Sequence, residues 1–176
     1  MQFKCLALVA AALSIHQAQA ALTAKDVVDS LSNITALSAD TSDLVKGLNT
    51  ENVVAGGLKA LQSFRQIVRD AANETATITS ASDSPPFVED DQKDICETFT
   101  GFVKAQQDLL QSLVDQKGLL FPIPISMPLA SVLRFLESSV DKLLSQIIQL
   151  VPTCADDSKK ELDGLDAAFN ETLKAY

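Results

Sequence analysis

From about residue 23 onward, apolar residues recur at three- and four-residue steps, and no stretch alternates apolar with polar over a strand's length. A chain patterned this way hides its apolar side by coiling into amphipathic helices and packing them on one another. Alternating, β-branched runs are missing, so no sheet is expected. The fold expected is all-α, an antiparallel bundle of about five amphipathic helices.

The helices can be placed. Thr23 with Asp26 forms a capping box for the first, whose stripe is Val27, Leu31, Ile34, Leu44, Val45 and Leu48. The polar stretch 38–43 inside it is expected to kink it, and Gly47 and Asn49 suit its end. A second helix is expected over about 50–79, with Val54, Leu58, Leu61, Phe64, Val68, Ala72, Thr75 and Ile78 on one side. Residues 80–86 form a linker ending in Pro85-Pro86. A third helix runs over about 87–117 with Gly118 as its stop, on a stripe of Ile95, Phe99, Phe102, Val103, Leu109, Leu110, Leu113 and Val114. A fourth covers about 128–151 and buries Val132, Leu133, Leu136, Val140, Leu143, Leu144, Ile147 and Ile148 before Pro152. A fifth starts near Ser158, which makes a second capping box with Glu161, and carries Leu162, Leu165, Phe169, Leu173 and Tyr176.

Residues 1–20 read differently. Lys4 precedes an apolar run over 5–15 broken only by Ser14, and Ala18-Gln19-Ala20 forms a small-x-small cleavage site. This is a secretory signal peptide, too short to span a bilayer, and residues 21–176 are expected to form a single exported domain with no transmembrane segment. Its removal takes away Lys4 and the only histidine, His16. Thirteen of the 14 Lys and Arg then face 23 Asp and Glu, a formal charge of −10. Such an acidic chain without basic clusters is a poor partner for nucleic acid or an anionic membrane.

The missing histidine excludes Ser-His-Asp and Cys-His nucleophilic systems and histidine-based zinc sites. Gly56-Gly57 is an isolated pair, not a phosphate loop. Carboxylate pairs for a glycosidase are numerous, but most acids fall on the polar faces of helices, where a solvated role is the simpler reading. No catalytic residue, metal site or cofactor is expected.

Two cysteines remain in the exported chain. If helices three and four are antiparallel neighbours hinged near Pro124, Cys96 and Cys154 lie at nearly equal distances from the hinge and meet at one end, so a structural disulfide is expected. Three sequons, at Asn33, Asn73 and Asn170, sit beside the apolar stripes rather than within them, where a glycan would face water.

The segment 119–129 does not suit a plain bundle. It carries no charge and three prolines, and includes Phe121, Ile123 and Ile125. Two readings stand side by side: the loop folds back to plug the bundle, or it forms an apolar lip that meets lipid or a waxy surface or guards an opening between helices. The phenylalanines are likewise ambiguous. Phe64, Phe99, Phe102, Phe135 and Phe169, with Leu136, either fill a dry core or line an interior that accepts an acyl chain. Arg134, near the proline-rich loop, is the candidate donor for a carboxylate.

Several features carry a resemblance: the Asp26-Val27-Val28 opening running to Leu37, its continuation Thr41-Ser42-Asp43-Leu44, the proline-punctuated middle, the Val151-Pro152 helix ending, and the terminal Leu165-Asp166-Ala167-Ala168-Phe169 through Ala175-Tyr176. In these the chain resembles the fungal secreted proteins grouped as hydrophobic surface binding protein A, together with the related cell-wall galactomannoproteins. The resemblance implies an all-helical secreted protein that attaches to apolar material. Some members adsorb to hydrophobic solids and help recruit lytic esterases, and galactomannoprotein relatives hold fatty acids between helices. The last residues lack an apolar tail and an anchor site, so a lipid anchor is not expected.

The function expected is therefore a secreted, non-enzymatic binder of hydrophobic surfaces or fatty-acid-like lipids. A structural or antigenic wall mannoprotein and an effector that binds a host protein are the alternatives.

Overall fold

The computed structural model describes residues 22–81, 86–122 and 126–176. The expected signal peptide and the Ile123 and Ile125 positions lie outside the described residues. The described residues form six helices: α1 (Ala24–Lys46), α2 (Val53–Ser80), α3 (Glu89–Asp115), α4 (Lys117–Leu120), α5 (Ser126–Leu150) and α6 (Ala155–Ala175). Five are long, and α4 is one turn. The described residues contain no strand.

Local chemistry explains the ends. Thr23 Oγ1 accepts from the Asp26 N–H at 3.2 Å while the Asp26 carboxylate accepts from the Thr23 N–H at 3.0 Å, so the capping box is complete. The Thr23 hydroxyl also donates to the Asp26 carboxylate at 2.6 Å, and this bond, with the one from the Thr23 N–H, holds the Asp26 carboxyl below the usual carboxylate range. Gly47 closes α1, and the Asn49 and Asn52 side chains bond across the next turn.

Consecutive long helices reverse direction, but the packing partners are not simply the consecutive ones. The principal contacts pair α1 with α3 and α2, α2 with α5, α5 with α6, and α6 with α3, a closed ring of five. Cross-helix bonds fix the directions. Ser38, Ser42 and Lys46 of α1 meet Gln106, Asp108 and Gln116 in the same order, so α1 and α3 run parallel. Thr79 of α2 meets Gln146 of α5, and earlier in both helices residues 65–69 face residues 128–135, so these two are also parallel.

The centre of the ring is filled by Phe64, Phe99, Phe102 and Phe169 with Leu31, Ile67, Leu109, Leu133, Leu136 and Leu144, all essentially inaccessible. Burying one such side chain contributes about 1.5–3 kcal/mol.

α1 runs unbroken through the polar stretch 38–43, where Ser38, Thr41 and Ser42 are buried and Ser38 and Thr41 return their hydroxyls to the carbonyls of Ile34 and Leu37. Several expectations need correction. On α2 the buried face is rotated from the expected stripe. It runs through Val53, Gly56, Gly57, Ala60 and Phe64, while Val54 and Leu58 are 56% and 47% exposed. Gly118 does not stop α3, which ends at Asp115; Gly118 lies inside α4, a turn that tucks Leu120 into the core. The helix expected to start at about Pro128 begins two residues earlier, at Ser126, which puts Pro128 in the first turn of α5, where a missing N–H costs nothing. Ser158 is not a cap: α6 starts at Ala155, and Ser158 is buried inside it.

Cys96 and Cys154 form a disulfide with their Cα atoms 6.4 Å apart. The expected reason was different, since α3 packs beside α6 rather than principally against α5. Cys154 stands at the start of α6, and α6 runs parallel to α3 from that crosslink through the Thr100–Glu161 hydrogen bond to Tyr176, whose hydroxyl donates to the Leu113 carbonyl at 2.7 Å. Burial pushes the Tyr176 phenol well above its usual range.

Candidate functional site: an apolar groove with two arginines

An open groove of about 410 Å³ lies between the parallel helices α2 and α5. Helical spacing builds both walls. Pro128, Val132 and Phe135 are steps of four and three residues along α5, and Arg65, Val68 and Arg69 are steps of three and one along α2. Each set therefore shares a face. Phe135 is 63% exposed although it is the largest side chain there.

The electrostatics are unusual for so acidic a chain. The described lining carries two guanidinium groups and no carboxylate. Neither arginine makes an ion pair among the described residues; Arg69 Nη2 donates to Gln66 Oε1, and Gln66 passes its own amide N–H to Asp70. An apolar floor beside two free guanidiniums suits an amphiphile with an anionic head, because the planar N–H fork matches a carboxylate.

The expected site residues separate into three groups. Phe64, Phe99, Phe102, Leu136 and Phe169 pack the centre of the ring. Phe135 instead points outward into the groove, and Phe121, just after α4, is 60% exposed. Of the apolar loop, Leu120 and Leu129 fold into the core, Leu119 is half-buried, and Phe121 projects, so the described ends of that segment plug the bundle and present one aromatic ring. Arg134 lies outside the groove lining, on the exposed side of α5. Its charge lowers the Glu137 carboxyl, but burial outweighs it and leaves Glu137 raised.

Arg65 and Arg69 were not singled out from the sequence. Their signal was present, two cations four residues apart on one helix, but their apolar partners on α5 lie about sixty residues or more away along the chain. Val54 and Leu58, also exposed, precede Arg65 on α2 and lie toward the end of the bundle that carries Phe121. Asn33, Asn73 and Asn170 are all exposed. Among the described residues no helix is long and apolar enough to cross a membrane, and no group of His, Cys, Asp and Glu gathers as for a metal.

No family model and no curated protein matches the sequence. The fold does have solved counterparts. It is similar to AfMp4p, crystallised in complex with palmitic acid, with a TM-score of 0.78 at 18% identity over 86% of this chain and 98% of that one. It is also similar to ligand binding domain 1 of the Penicillium marneffei MP1 protein, complexed with arachidonic acids (TM-score 0.70, 16% identity, 86% and 94% covered). Domain 2 of the same protein, complexed with multiple arachidonic acids, gives 0.65 at 18% identity, covering 86% and 92%. At these identities the shared property is the fold: this chain has the helical architecture of those domains.

Proposed function

We propose that residues 21–176 form a single exported, non-enzymatic domain that binds fatty acids, with the carboxylate held by Arg65 and Arg69 and the acyl chain laid on Val68, Val132 and Phe135. The observation that carries this is the α2–α5 groove, where an exposed apolar wall abuts two arginines without acidic partners. Its volume falls in the usual range for small-molecule sites, about 300–1,000 Å³. Each buried methylene adds about 0.8 kcal/mol, so affinity rises with chain length while selectivity among chains of equal length is weak. The fatty acids bound to AfMp4p and to the MP1 domains support the ligand class. The resemblance to hydrophobic surface binding protein A and the galactomannoproteins supports a fungal wall or secreted setting.

A second mode is favoured by Val54, Leu58, Phe121 and Phe135, large apolar side chains that remain exposed. Through it the protein adsorbs to hydrophobic solids, and there it is placed to recruit secreted esterases.

Native mass spectrometry of protein purified from its own culture fluid tests the carrier reading. The expected result is a co-purifying fatty acid that is lost or strongly reduced in the Arg65→Gln, Arg69→Gln double variant. An unchanged bound lipid in that variant removes the groove from the proposal, and a bare protein that also fails to take up added palmitate removes the carrier.

A further inference from the structure

A second groove, of about 330 Å³, lies on another side of α2, against α1. Its lining is mostly polar: Ser30 and Asn33, beside Ile34, from α1, and Asp70, Asn73, Glu74 and Thr77 from α2. Glu74 is only 9% exposed. One of its oxygens, Oε2, accepts from the Ser30 hydroxyl at 2.8 Å, and the other, Oε1, is buried with no hydrogen-bond partner among the described residues. Leaving such an acceptor unmet costs about 1–3 kcal/mol, more if it is charged, so the site calls for a donor. No cation lines the groove. Both walls carry a sequon, Asn33-Ile34-Thr35 and Asn73-Glu74-Thr75, and both asparagines are exposed.

We propose that this groove seats the first sugar of an N-glycan on Asn33, whose acetamido N–H or hydroxyl donates to Glu74. Asn33 is one helical turn beyond Ser30, the residue that already reaches Glu74 across the α1–α2 boundary. A sugar leaving Asn33 therefore crosses from the opposite wall, whereas one on Asn73 leaves from the residue adjoining Glu74 on the same helix. The sugar supplies the donors that Glu74 lacks, and the amide and hydroxyl groups of Asn73 and Thr77 give it further polar contacts. The glycan then acts as a strut between α1 and α2 rather than a solvated ornament. This rests on the export proposed above.

The test uses protein secreted from a yeast host under its own residues 1–20. Glycopeptide mass spectrometry reads occupancy at Asn33, Asn73 and Asn170, and an endoglycosidase trims each glycan to one N-acetylglucosamine. Melting temperature is then compared with Asn→Gln variants, because enzymatic removal of the whole glycan would leave Asp beside Glu74. Trimmed protein is expected to melt a few degrees above Asn33→Gln, with no such loss in Asn73→Gln or Asn170→Gln. The increment should vanish in the Glu74→Ala background and shrink in the isosteric Glu74→Gln. Hydrogen exchange over residues 30–34 and 70–77 should slow with the sugar present. Secreted protein bare at Asn33 overturns the proposal and leaves export standing; no protein in the medium overturns both. A sugar on Asn33 whose increment survives Glu74→Ala, or an increment that follows Asn73 instead, overturns the seat.

Discussion

The side-chain amide of Gln106 donates to Ser38 Oγ at 2.7 Å in the fully buried contact between α3 and α1. Ser38 in turn donates to the Ile34 carbonyl, while Gln106 Oε1 has no partner among the described residues. The pair therefore joins two parallel helices at the cost of one unmet acceptor. Ser38→Ala strands the amide N–H as well and should destabilise the fold by about 1–3 kcal/mol. Gln106→Leu removes both polar atoms at similar volume and should be close to neutral or stabilising. In that background Ser38→Ala should cost little, and urea denaturation of the four proteins measures the coupling.

The disulfide closes a long loop. Cys96 and Cys154 are 58 residues apart, and in the chain-entropy model a crosslink of that span stabilises by about 4 kcal/mol. Reduction, or the Cys96→Ser, Cys154→Ser pair, should lower the denaturation midpoint accordingly. It should first loosen the Cys154 end of α6, next to the Thr153 and Gln92 hydrogen bonds, which hydrogen exchange can localise.

Much of this architecture was legible in the periodicity. The large apolar residues of α3 and α5 mark the buried faces because those faces are made of large residues. On α2 the same rule fails for a physical reason: its inner face is built from Gly56, Gly57 and Ala60, and at Gly56 the missing Cβ leaves room for Leu48, just past α1, so the bulky Val54 and Leu58 are the ones left outside. A serine also misled. Ser158 resembles a cap by composition, but it lies buried within α6 and returns its hydroxyl to the Cys154 sulfur. The cysteine pairing was anticipated through the wrong neighbour, because spacing along the chain does not show that α6 lies next to α3. The arginine groove was illegible for the same reason: α2 and α5 meet as parallel helices joined by a long excursion through α3.

Two glycines should respond differently to alanine. A Cβ at Gly101, on the exposed side of α3, meets nothing within 4 Å, so Gly101→Ala should stabilise by about 0.5–1 kcal/mol through helix propensity alone. A Cβ at Gly56 would overlap Leu48 Cδ2, a buried side chain. Gly56→Ala should lose most or all of that gain, or destabilise the fold, as Leu48 is forced to repack. Thermal melts of the two variants give the comparison.

Glu74 should make its own mark on the pH dependence of stability. Burial raises its carboxyl above the ordinary value of 4.5, the Ser30 hydrogen bond opposes this, and Asp26 on α1 adds to it. A raised acid binds its proton more tightly in the folded state, so stability falls as pH rises from the unfolded value through the folded one. Glu74→Gln abolishes that contribution. The stability difference between the wild type and Glu74→Gln should therefore move against the wild type between about pH 4.5 and neutrality, and chemical denaturation at a series of pH values reads it directly.

Phe121 and Phe135 allow the two proposed modes of action to be separated. They are 60% and 63% exposed, so replacing either removes little packing and should leave the fold intact. Phe135 lines the arginine groove and Phe121 does not. Burying one such ring against an apolar solid is worth about 1.5–3 kcal/mol. Phe121→Ser should therefore weaken depletion of the protein from solution by polystyrene beads while leaving fatty-acid affinity unchanged. Phe135→Ser should weaken both, since its ring faces the acyl chain as well as the outside. The Arg65→Gln, Arg69→Gln variant should behave in the opposite sense to Phe121→Ser, losing carboxylate-dependent uptake but still coating the beads. If all three variants lose both activities in parallel, adsorption and lipid uptake are one event on one surface.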